Sequence, residues 1–186
     1  IRFLRKNADA YGIDSDKVVI WGTSSGGNAA LLVGLTGDDP EYKTEEYKDY
    51  SDEVNAVVEC FGPTDLAAMI GTAEDEDYAI PEIDYILNGL CGGDMSRYPE
   101  VAYKMSPVNY VTKGKEVPAF LLLHGDADPI VPFDQMTILY DKMTACEYDV
   151  EAWRIEGAEH EGTFWSKNVY GIMDDFLDKK LRSHKA

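Results

Sequence analysis

The sequence predicts an α/β fold, a parallel sheet with helices on both faces, and three observations lead there. Runs at 18–21, 54–61, 119–123 and 150–155 read as strands: 18–21 is all-apolar, the pattern of a strand covered on both faces as in a parallel sheet, and 119–123 is the purest apolar run in the chain. Segments with helical spacing alternate with those runs. A long irregular stretch, 66–116, sits between the second and third runs as an insertion would.

Residues 2–11 place Phe3, Leu4, Ala8 and Tyr11 near helical spacing, and Gly12 closes the segment as a C-terminal cap. The strand at 18–21 leads into a small-residue helix at 26–35, whose Gly-Gly-Asn-Ala-Ala start allows close packing on a sheet. A polar, acidic surface loop at 37–53 precedes the second strand, which ends in the turn Gly62-Pro63-Thr64-Asp65. Within the insertion, short helical patterns occur around 81–90 and 96–104. Residues 133–143 form an amphipathic helix with Phe133, Met136, Leu139, Tyr140 and Met143 on one face. A last helix, from 163 to about 181, aligns Trp165, Val169, Ile172, Met173, Phe176 and Leu177 in one stripe.

At 186 residues the chain suits one domain with a real core, and 45% hydrophobic against 28% charged residues excludes a disordered chain. The net charge of −18 excludes nucleic acid and an anionic membrane surface as partners and serves solubility. No apolar run approaches the roughly 20 residues of a membrane span. Cys60, Cys91 and Cys146 are odd in number and widely spaced, so they suggest neither a disulfide framework nor a zinc site, and Cys60 is expected in the core. The chain begins at Ile1 inside a helical pattern, so the gene product is expected to start elsewhere, and the compartment stays open.

Gly22-Thr23-Ser24-Ser25-Gly26 fits G-x-S-x-G, a cheap pattern alone. Here a strand runs straight into it and a helix leaves at once, the setting of a nucleophile elbow. Ser24 is the expected nucleophile, and both flanking glycines are expected to be needed for space. The neighbouring Ser25 is expected to lend its backbone N–H to an oxyanion at the positive end of the helix.

A serine needs a base. His184 lies in a charged tail, and His124 ends a buried strand and reads as a brace for the next loop. His160, in the loop 157–162 after the fourth strand, is the expected base, because active sites gather at the carboxyl ends of parallel strands. Two aspartates follow the third strand. Asp128 is the expected acid, since the loop must leave the strand before a carboxylate can reach across, with Asp126 as a turn residue or its rival. Glu159 and Glu161 flank His160 and are expected to stabilise its imidazolium.

The stretches 21–27, 61–65, 124–132 and 157–162, in this order and spacing, resemble landmarks of bacterial α/β-hydrolase carboxylesterases. The closest likeness is to the acetyl- and feruloyl-esterase-like branch related to the hormone-sensitive-lipase group, and it runs from Ile1 to about Phe176. The resemblance implies hydrolysis of short-acyl, acetyl or feruloyl esters, some carried on plant polysaccharide, through an acyl-enzyme and without metal or organic cofactor. It places nucleophile, acid and base on Ser24, Asp128 and His160, in the α/β-hydrolase chain order.

Two departures accompany it. Ser25 replaces the family's usual Ala, which a backbone donor tolerates. The family also carries about four strands upstream, with a His-Gly-Gly loop that supplies a second oxyanion donor, and nothing in this chain matches them. The chain is therefore expected to be a C-terminal, catalytic portion whose first strand, 18–21, is an open sheet edge that recruits a second copy or a complementary fragment. Other readings stay open: a prolyl-oligopeptidase-type peptidase, or an interaction domain with a weak or dead site. Tyr78, Tyr85 and Tyr98 either line an aromatic-accepting pocket or, the favoured reading, cover an apolar lid. Trp165 borders the site or starts the last helix.

Overall fold

The computed structural model describes residues 1–72, 88–89 and 97–182. Most of the helical pattern around 81–90, with Tyr78, Tyr85, Cys91 and His184, lies outside the described residues. Four strands, β1 (Val19–Thr23), β2 (Ala56–Cys60), β3 (Ala119–Gly125) and β4 (Val150–Ile155), form one parallel sheet in the order β1-β2-β3-β4. The helices described are α1 (Arg2–Lys6), α2 (Ala8–Tyr11), α3 (Ser25–Leu35), α4 (Leu66–Thr72), α5 (Pro99–Lys104), α6 (Asp134–Ala145) and α7 (Lys167–Leu181).

The register decides where chemistry can gather. Thr23 lies opposite Cys60, Cys60 opposite Leu123, and Gly125 opposite Ile155, so the carboxyl ends of all four strands meet at one edge of the sheet. The loops beginning at Ser24, Phe61, Asp126 and Glu156 leave from that edge.

Two cores sandwich the sheet. On one face, Ala30, Leu31 and Leu35 of α3 and Met136, Leu139 and Met143 of α6 pack against Val57, Phe120 and Leu122. On the other, Val169, Met173 and Phe176 of α7 pack against Ala56, Val58, Cys60, Leu121 and Leu123. Each fully buried large side chain contributes roughly 1.5–3 kcal/mol by leaving water. Every residue of β2 and β3 is buried, as their composition predicts, with Glu59 and His124 as the charged or titratable exceptions.

Three elements depart from expectation. The helix at 2–11 breaks at Asn7, whose side-chain amide donates to the Phe3 carbonyl at 2.8 Å and competes with the helical ladder. Its end does carry the expected cap, with Gly12 at φ 65°. The last helix starts at Lys167 rather than 163: residues Gly162–Phe164 form a 3₁₀ turn, Trp165 is extended, and the Ser166 hydroxyl accepts from the Val169 N–H as N-cap. The third is β1, read as covered on both faces. It lies at an edge of the sheet, as expected, but its faces are only half-buried and Trp21 is 52% exposed.

Candidate active site

The chain turns from β1 into α3 through one residue. Ser24 has φ 51° and ψ −124°, a backbone conformation that L-residues seldom adopt and that persists only when its surroundings enforce it. Two hydrogen bonds do so: the Ser24 N–H donates to the Cys60 carbonyl at 2.9 Å, and the Ser24 carbonyl accepts from the Asn28 N–H at 3.1 Å. The glycines close the turn. A Cβ on Gly22 would overlap the Gly26 carbonyl, so that position admits no side chain. At Gly26 a Cβ would meet nothing within 4 Å among the described residues, and the expected steric need for this second glycine fails. The tight partner is Gly27, where a Cβ would come within 3.0 Å of Glu59 and 3.2 Å of the Cys60 carbonyl.

Asn28, buried on α3, donates to the carbonyls of Pro63 and Met105, each at 2.8 Å. This amide ties the elbow helix to the Gly-Pro-Thr-Asp turn and to the end of the insertion. The buried Gln135 carboxamide accepts from the N–H groups of Thr64 and Asp65, each at 2.8 Å, and docks the same turn on α6.

The two aspartates after β3 separate cleanly. Asp126 accepts from Arg154 at 2.7 Å and from the Gly157 N–H at 2.6 Å, so it braces the loop that carries His160. Asp128 is buried and turned inward. Its Oδ1 accepts from the N–H groups of Ile130 and Val131 at 2.8 and 2.9 Å. Its Oδ2 lies 2.7 Å from His160 Nδ1 and 3.4 Å from His124 Nε2. Burial alone would push this carboxyl up. The hydrogen bonds from His124, His160 and the two N–H groups outweigh it and hold the group well below the usual carboxylate range.

A carboxylate on Nδ1 fixes the His160 tautomer: Nδ1 carries the proton, and Nε2 presents its lone pair. That Nε2 lies 3.0 Å from Ser24 Oγ. The structure thus brings together Ser24, Asp128 and His160, and leaves Asp126 outside the set. Ser25 is the first residue of α3, and its N–H is among those a helix start leaves without an internal partner. Glu159 and Glu161 are exposed, and neither forms an ion pair with His160 among the described residues, so the expected carboxylate support comes from Asp128 instead.

Phe61 is a site neighbour that the sequence did not flag. It is fully buried, has φ 44°, and meets the His160 ring edge-on with centroids 4.7 Å apart. Phe164 and Trp165 pack against Phe61 in turn, at 4.7 and 5.9 Å, which places Trp165 at the border of the site rather than in a helix. Tyr98 is 44% exposed. No local pattern announces a positive φ at a phenylalanine. Glu59 is different: a carboxylate inside an apolar strand was a readable signal.

A parallel sheet with a strand–turn–helix serine and later Asp and His loops at its carboxyl edge is the α/β-hydrolase architecture. Residues 1–143 match the BD-FAE family model, and the chain belongs to the BD-FAE family. The match ends before β4 and His160. The chain is 31% identical over 149 residues to Esterase LipC of Mycobacterium tuberculosis, covering 78% of this chain and 34% of that protein. Among solved structures, a truncated form of carbohydrate esterase from gut microbiota is 29% identical with a TM-score of 0.81, covering 96% of this chain and 65% of that one. A bifunctional GH43-CE protein of Bacteroides eggerthii is 28% identical with a TM-score of 0.77, over 97% of this chain and 26% of that one. The chain spans about a third of the length of the curated relatives it matches.

Proposed function

We propose that these residues form the catalytic centre of a serine esterase that cleaves carboxylic esters through an acyl-enzyme. The observation that carries this reading is the continuous line from Ser24 Oγ to His160 Nε2 at 3.0 Å and from His160 Nδ1 to Asp128 Oδ2 at 2.7 Å. His160 takes the Ser24 proton as Oγ attacks the ester carbonyl carbon. The resulting imidazolium is stabilised by Asp128, which stays ionised. The Ser25 N–H, at the positive end of α3, donates to the tetrahedral oxyanion. Collapse expels the alcohol, which takes the proton from His160. Water then repeats the sequence on the acyl-enzyme and frees the acid.

The substrate class is esters of short acyl, acetyl or feruloyl groups, including those carried on carbohydrate. The carbohydrate-esterase likeness supports this choice. Acyl selection falls to the segment after β2, which Asn28 ties to the elbow helix through the Met105 carbonyl and whose beginning and end are joined by the Leu66 N–H on Ser106 Oγ at 2.9 Å. The test is hydrolysis of p-nitrophenyl acetate, acetylated xylan and a feruloyl ester by the protein and by Ser24→Ala. Release of acid that disappears in Ser24→Ala is expected. Equal release by both would overturn the assignment.

A further inference from the structure

The mechanism above leaves one buried carboxylate unused. Glu59 lies fully buried on β2, opposite Gly22 of β1 and Leu122 of β3. Its Oε1 accepts from the Gly62 N–H, three residues on, the one hydrogen bond its side chain makes among the described residues. Its Oε2 has no partner there. A carboxyl kept in a core for a single acceptor atom directs attention to what that atom holds.

Oε1 is lodged between two glycines. A Cβ on Gly27 of α3 would lie 3.0 Å from it, and a Cβ on Gly62 would lie 2.9 Å from it. The same Cβ on Gly62 would come within 2.8 Å of the Ser24 carbonyl oxygen and of the Asn28 nitrogen. Those two atoms are the ends of a hydrogen bond that holds the nucleophile's turn. The peptide that Glu59 grips therefore lies directly on the elbow.

Phe61 stands between Glu59 and Gly62 with φ 44°, a conformation strained for a residue with a side chain. The conformation of a residue is set by the two rigid peptide planes on either side of it. The plane before Phe61 is tied to β3, since the Phe61 N–H donates to the Leu123 carbonyl at 2.8 Å. The plane after it is tied to Glu59 through the Gly62 N–H. Held on both sides, the backbone aims the phenyl ring at the His160 imidazole, with centroids 4.7 Å apart.

We propose that Glu59 is a positioning residue for His160: its Oε1 fixes the peptide after Phe61 and so holds the ring against which the base rests. Without that acceptor, Phe61 relaxes out of its strained conformation and the ring leaves the imidazole. Burial pushes the Glu59 carboxyl up to about 7, and with a proton on Oε2 the Oε1 atom remains an acceptor. This inference rests on the esterase reading of Ser24, Asp128 and His160.

The test compares Glu59→Gln, whose amide oxygen can take the place of Oε1, with Glu59→Met, which fills similar space without a comparable acceptor. With p-nitrophenyl acetate, Glu59→Gln should stay within roughly threefold of the unaltered kcat, and Glu59→Met should lose roughly 10- to 100-fold with KM little changed. Because Glu59 acts through Phe61, adding Phe61→Leu to Glu59→Met should lower kcat by less than about threefold further. Equal losses in the Gln and Met variants, an unchanged kcat in folded Glu59→Met, or fully multiplicative losses in the double variant would each overturn the proposal. NMR of the unaltered protein reads the contact without turnover, and keeps the test alive if Glu59→Met does not fold. A scalar coupling across the hydrogen bond, from the Gly62 nitrogen to the Glu59 carboxyl carbon, is expected, and its absence would overturn the clamp. If that coupling is seen while the unaltered protein hydrolyses no ester, it is the esterase reading that has failed.

Discussion

The ring of Phe61 stands edge-on to the imidazole of His160, their centroids 4.7 Å apart, and Phe61 is itself wedged between Phe164 and Trp165. This contact lets a loop histidine keep one orientation. Asp128 fixes one ring nitrogen, and Phe61 limits tilt about that bond. Phe61→Leu should therefore lower kcat by roughly tenfold, since a misplaced catalytic group costs rate rather than binding. KM should hardly move. Steady-state kinetics on a short acyl ester checks this.

The two aspartates after β3 should separate by kinetics as they do by geometry. Asp128→Asn removes the group that sets the His160 tautomer and should cost kcat about 10⁴-fold, the scale seen when a triad acid becomes an amide. Asp126→Asn loosens only the tie to Arg154 and Gly157 and should keep activity within about tenfold. Parallel turnover measurements on the two variants decide the matter, and the reverse ranking would exchange the roles.

The elbow glycines give a stability contrast. Gly22→Ala should destroy the turn, because the added methyl would overlap the Gly26 carbonyl. Gly26→Ala meets open space inside a helix, where Ala is favoured over Gly by about 0.5–1 kcal/mol. Thermal unfolding should show a large fall in Tm, or no folded protein, for the first and an equal or higher Tm for the second.

Glu59 should make folding stability depend on pH. Its carboxyl titrates near 7 in the fold, above its ordinary value of 4.5, so the folded state binds this proton more tightly than the unfolded chain. Between those values the folded protein holds more protons, and stability therefore falls as pH rises through about 4.5–7. Below that window the contribution is fully present. Glu59→Gln removes this titration, so the difference in Tm between the two proteins should change across that window and level off on either side of it.

Much of this architecture was legible beforehand because it rests on local composition. The apolar runs located all four strands, and β4 falls on its expected bounds. The serine motif, the Asp loop and the His loop were readable because each sits just beyond a strand end, and the register then brings those ends together. What escaped depends on side-chain contacts and backbone angles that composition does not show, some of them local. Asn7 breaks a helix through its own side chain, and Ser166 sets a start that the apolar stripe alone placed too early. Phe61 adopts a positive φ at the strand end beside the His loop, and the open space at Gly26 depends on how α3 leaves the sheet. The acidic neighbours of His160 in sequence are not its partners in space, because the loop turns Glu159 and Glu161 to solvent.

The assignment of Ser24 as nucleophile can be tested directly by treating the protein with a fluorophosphate and mapping the adduct by mass spectrometry. A single phosphorylated residue, Ser24, is expected, with labelling lost in Ser24→Ala and greatly slowed in His160→Ala. Intact, folded protein that takes up no label at Ser24, or takes it up equally without His160, would contradict the account.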